Sequence, residues 1–145
     1  MGHSFTDYQG KGFWSNDGWL WLELLARRAR LVVEPSAWLA RAAEEWHLHA
    51  TAGWNRGWVS AQLDEFAATP EQAELVLGLA AEALRWLEDQ GDLIPADLMH
   101  DWDLGGPNVT WTADLPTERF ARVGREFVRL LRGEIETGPA DAPCD

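Results

Sequence analysis

Thr69-Pro70-Glu71-Gln72, running on through Ala73, Val76, Leu77, Ala80, Ala83, Leu84 and Leu87 to about Gln90, is the stretch that decides the fold. Thr at an N-cap leaves its hydroxyl to accept a backbone N–H. Pro is preset for the first helical position, and Gln three residues after the cap completes a capping box. The apolar residues recur at i, i+3, i+4 and i+7, so one face of a five-turn helix is buried. Gly91 can take the left-handed conformation that closes it.

Working outward, helices recur. Ser15-Asn16-Asp17-Gly18 offers capping side chains before Trp19-Leu20-Trp21-Leu22-Glu23-Leu24-Leu25-Ala26. That segment is apolar almost all round, as a central helix is, and it ends in Arg27, Arg28 and Arg30, favourable at a helix C-terminus. Pro35 opens a second helix whose Trp38, Leu39, Ala42, Ala43, Trp46 and Ala50 form one stripe. Gly53 and Gly57 predict a loop, and a short helix through Leu63 and Phe66 follows. Pro95 starts another brief helix through Leu98, which Gly105-Gly106-Pro107 ends. A last helix, from about Pro116 to Arg132, buries Phe120, Val123, Phe127, Val128 and Leu131.

The fold predicted is all-α, a compact bundle of five to six helices, with a short β-hairpin or extended segment near residues 105–115. Residues 1–132 form the single domain. Residues 133–145 lack apolar periodicity and hold two prolines, so a disordered acidic tail is expected. At 145 residues and 46 % hydrophobic, the chain buries roughly two-thirds of its unfolded surface.

The chain carries a formal net charge of −12, and that charge can be located. Residues 64–118 hold 13 Asp and Glu against Arg85 alone, while residues 1–63 balance 6 against 6 and residues 119–145 balance 5 against 5. Glu88, Asp89, Asp92, Asp97, Asp101 and Asp103 fall close together with no base interleaved. A solvated, solubilising face is the plain account. A surface that steers a basic protein toward it is the functional one. Nucleic acid would be repelled.

The last helix carries the opposite sign. Arg119, Arg122, Arg125, Arg129 and Arg132 lie on one side of it. They either pair within the fold or offer an anion-binding face.

Ten tryptophans are more than one small core easily hides. Trp14, Trp54, Trp58, Trp102 and Trp111 fall outside the helical stripes. Aromatic anchors beside charges are what a specific protein interface uses. Trp102, with Trp54 and Trp58, is therefore placed with the six carboxylates in a partner-binding surface.

Metal chemistry is the alternative. Glu44-Glu45-Trp46-His47 and Asp97-Leu98-Met99-His100 each put a carboxylate and an imidazole at i, i+3, the spacing that di-metal bundles use. Glu44, His47, Asp97 and His100 would be the ligands, with Glu23 a further inward carboxylate; solvated side chains, and a Glu23–Arg27 pair, are the plain reading. No Gly-x-Ser-x-Gly, triad arrangement or phosphate-binding loop is present in the sequence. Cys144 has no cysteine to pair with. With no apolar stretch near 20 residues and no basic, apolar leader, the expected location is cytoplasmic and no membrane partner is expected.

Gly10-Lys11-Gly12-Phe13-Trp14-Ser15-Asn16-Asp17, Leu63-Asp64-Glu65-Phe66 and Pro116-Thr117-Glu118-Arg119-Phe120, with Val123-Gly124, Leu130-Leu131 and Gly133-Glu134, resemble segments of small bacterial one-domain proteins of uncharacterised function. That resemblance implies one domain and brings no site residue with it. The expectation is a non-catalytic module, without cofactor, that binds a basic protein in the manner of immunity proteins or antitoxins. A metal-dependent bundle enzyme or small-molecule binder is the alternative.

Overall fold

A computed structural model describes residues 4–52, 59–106 and 108–142. The chain begins with an element that the helical reading omitted. Strands β1 (Ser4–Tyr8) and β2 (Lys11–Ser15) pair antiparallel, Tyr8 opposite Lys11 and Ser4 opposite Ser15. Gln9 and Gly10 form the two-residue turn, both at positive φ (55° and 81°), the handedness that matches strand twist. Gly12 is required by contact: a Cβ there would lie 1.9 Å from the Thr6 carbonyl oxygen. Tyr8 donates its hydroxyl to the Ala67 carbonyl at 2.7 Å, and Gln9 N donates to Asp64 Oδ1 at 2.7 Å, tying the hairpin to the helices.

Six helices follow among the described residues: α1 (Gly18–Arg30), α2 (Ala37–Ala52), α3 (Leu63–Phe66), α4 (Pro70–Asp89), α5 (Ala96–Asp101) and α6 (Thr117–Leu131). The architecture is mostly helical, but not all-α. A second two-stranded sheet pairs β3 (Leu93–Ile94) with β4 (Leu115–Pro116). Of the short hairpin or extended segment expected near 105–115, the structure has the extended strand β4, which finds its partner upstream of α5 and thereby closes the α5 segment into a loop.

Helix α1 is the hub, packed against α2, α4 and α6, with every residue from Trp19 to Ala26 buried. Its expected cap is absent. Asp17 sits at the N-cap without a side-chain cap bond, and its carboxylate accepts from Arg119 at 2.6 Å instead. Helix α4 opens as read, with Thr69 Oγ1 accepting from Gln72 N and the Gln72 side chain accepting from Thr69 N. Val76, Leu79, Ala80, Ala83 and Leu87 form its buried face.

Aromatic rings fill the centre. Trp21 meets Phe127 edge-on at 5.5 Å, Trp46 meets Phe66 at 5.9 Å, and Trp19 sits between Phe120 at 5.2 Å and a stacked Trp111 at 4.8 Å. Trp111, outside any helical stripe, is thus a core lid, its indole N–H donating to the Leu104 carbonyl. The segment after α6 is also placed rather than free as expected. Ile135 is buried, Gly12 N donates to the Thr137 carbonyl at 2.9 Å, and Trp14 Nε1 donates to the Pro139 carbonyl. Residues 133–142 therefore run beside the hairpin. No helix among the described residues is long and apolar enough to cross a membrane.

Candidate functional site

The acidic residues gather where α4 ends and α5 begins. Glu88 and Asp89 occupy the last turn of α4, which holds no basic residue. Carboxylates there face the negative end of the helix dipole and cost about 0.3–1 kcal/mol each. Asp92 follows in the turn, Asp97 and Asp101 belong to α5, and Asp103 adopts a positive φ of 54° just after it. All six side chains are exposed, and among the described residues none forms an ion pair with a base.

The arginines of α6 do not neutralise them. Arg119 binds Asp17, Arg125 binds Glu118, and Arg129 binds Glu126 at 2.8 Å with Glu134 at 3.9 Å. These three of the five stripe arginines are spent on carboxylates outside the 88–103 run. The acidic field of that run stays open to solvent.

Trp102 is the C-cap residue of α5, flanked by exposed Asp101 and Asp103. Its half-buried ring lies 5.3 Å from that of Trp86 on α4, tilted by 37°, and the Arg27 guanidinium sits 3.9 Å from the centre of the ring. Arg27 is held in turn by Glu23, whose carboxylate is 3.6 Å from Nε. Trp54 and Trp58 lie outside the described residues.

Glu23 is the expected i, i+4 partner of Arg27, and it has a second, closer partner. His47 Nδ1 on α2 approaches both Glu23 oxygens, at 2.6 and 2.9 Å. The single charge within the apolar run from Trp19 to Ala26 is the signal for it. That engagement removes His47 from the company of Glu44, which is exposed. His100 is engaged elsewhere, its Nε2 lying 3.0 Å from both the backbone N and O of Trp111. The residues of the metal reading are not brought together. Among the described residues no group of three or more His, Cys, Asp or Glu is placed to hold a metal ion. His49, which was not singled out from the sequence, is buried and accepts from Ser60 N through Nδ1 at 3.0 Å, a structural anchor for the segment entering α3.

Comparison with protein-family models, curated proteins and solved structures finds no match.

Proposed function

We propose that the chain is a non-catalytic protein-binding module that recognises a basic protein partner through the surface formed by Glu88, Asp89, Asp92, Asp97, Asp101 and Asp103 with Trp102, similar in kind to immunity proteins or antitoxins. The observation that carries this reading is the pattern of ion pairing. Arg119, Arg125 and Arg129 pair with carboxylates elsewhere, and among the described residues six exposed acids have no basic partner beside a half-buried indole. Two of them stand at the wrong end of a helix dipole, where local stability alone would favour a base. Unpaired charge of one sign around an aromatic anchor speeds encounter with an opposite surface and discriminates against like-charged ones.

The test compares the native chain with the triple variant Asp89→Lys, Asp92→Lys, Asp101→Lys. Each is immobilised and exposed at low salt to a lysate of cells that express the chain, then eluted with a salt step. A stoichiometric basic protein retained by the native chain and lost by the variant is the expected result. Equal retention on both, or none on either, would overturn the reading.

A further inference from the structure

The three guanidiniums at the end of α1 sit in an unusual setting for so acidic a protein. Acids outnumber bases 24 to 12, yet Arg28 and Arg30 form no ion pair among the described residues. Together with Arg27 they line an open groove of about 410 Å³, completed by Leu24, Leu31, Trp86 and Trp102, with no carboxylate in its lining among the described residues. Leu31 is 70 % exposed there, a large apolar side chain left in water at the rim of a basic cleft. A neighbouring groove of about 510 Å³ shares Arg28, Leu31 and Trp86 and takes in Arg85, and its carboxylates, Glu82 and Asp89, lie on the α4 side.

The aromatic wall is fixed before any ligand arrives. Buried Glu23 pairs with Arg27 at 3.6 Å, Arg27 covers one ring, and that ring leans on the next, so Trp102 and Trp86 form a tilted pair packed against the core. A preorganised wall spares a ligand the entropy of ordering side chains. Volumes in this range suit a small molecule. Indole and leucine surface favours a flat apolar body, and unpaired guanidiniums favour an anionic group on it.

The geometry points to a binding site for a small anion that carries a flat aromatic ring, with the ring against Trp86 and Trp102 and the anionic group on Arg28 and Arg30. The site does not depend on the protein-binding role. It adjoins that surface, since Trp102 belongs to both and Asp89 lines the neighbouring groove, so occupancy would be felt there.

The test uses 1-naphthyl phosphate as probe on the full chain, followed by calorimetry and by the indole N–H resonances in nitrogen-15 correlation spectra, assigned with Trp86→Phe and Trp102→Phe. Saturable 1:1 binding that shifts the Trp86 and Trp102 signals is expected, with 1-naphthol and inorganic phosphate each weaker by about tenfold or more. The double variant Arg28→Gln, Arg30→Gln, with its thermal transition checked against the native chain, should lose a similar factor. No saturable binding, shifts confined to other indoles, phosphate binding as tightly as the aryl phosphate, or unchanged affinity in the double variant would each overturn the site. None of these outcomes involves a protein partner, so this site and the acidic surface stand or fall separately.

Discussion

Glu23, with no solvent exposure, faces His47 Nδ1 through both of its oxygens, while the imidazole keeps part of its surface in water. The two ends of this contact are therefore unequal. Removing His47 leaves a buried carboxylate whose other partner, Arg27, stands at 3.6 Å, whereas neutralising Glu23 leaves two partly exposed partners that can turn to solvent.

His47→Ala is accordingly expected to cost about 3 kcal/mol. Glu23→Gln, which preserves shape and a neutral hydrogen bond, is expected to cost about 1 kcal/mol. In the Glu23→Gln background the His47 truncation should lose most of its effect, because the stranded charge is gone. Urea unfolding of the four proteins measures this, and a costlier Glu23→Gln would contradict it.

Gly124 and Gly78 should respond to alanine with opposite signs. A Cβ at Gly124 would come within 2.5 Å of the Trp21 ring and 2.7 Å of Leu84 Cδ2, where α6 crosses α1 and α4. Overpacking of this kind costs about 1–3 kcal/mol. At Gly78, exposed in the middle of α4, a Cβ meets nothing within 4 Å, so Gly78→Ala should stabilise by about 0.5–1 kcal/mol. Thermal melts of the two single variants decide the matter.

Partial desolvation beside the hairpin, reinforced by the charge of Asp64 and opposed by a backbone hydrogen bond, holds the Asp7 carboxyl above its ordinary range. The fold thus binds this proton more tightly than the unfolded chain does. The associated stability is present below the ordinary value of 3.8 and is lost as pH rises through the raised one. Asp7→Asn should therefore melt higher than the native chain at neutral pH, and the advantage should vanish near about pH 3. Calorimetry at the two pH values would expose the error if the advantage persisted in acid.

Asp89→Lys should raise stability by about 0.3–1 kcal/mol, because it sets a cation at the C-terminus of α4. In the triple variant with Asp92→Lys and Asp101→Lys, association with a captured basic partner should slow by about tenfold or more at low salt, and its salt dependence should flatten. A stability gain with a binding loss would identify acids kept at that turn against the preference of the helix. Stopped-flow association across a salt series, beside urea unfolding, reads both.

The long elements were legible because their signals are local. The Thr69–Gln72 box and the apolar period after it lie within one stretch of chain, as does the Phe120/Val123/Phe127 face of α6. The first hairpin is not legible in the sequence because Gln9-Gly10 is a weaker turn signal than Asn-Gly, and five-residue strands give little alternation to read. The two-residue strands of the second sheet carry no period at all. At the candidate site, the acidic cluster is visible in composition. The Arg27–Trp102–Trp86 contact is not, since it needs α1, α4 and the end of α5 to meet, and no spacing along the chain encodes that meeting.

The paired indoles make this protein its own optical reporter. Trp19 with Trp111, at 4.8 Å and 29°, and Trp86 with Trp102, at 5.3 Å and 37°, are close enough for their electronic transitions to couple. Coupled chromophores in fixed orientation add circular dichroism that is not helical in origin, so helix content read from the far ultraviolet alone will be biased. The same bands vanish when rings lose their mutual orientation, even while helices persist. One spectrum therefore distinguishes the packed molecule from a collapsed one, and replacing one ring of either pair assigns the signal to the core or to the groove.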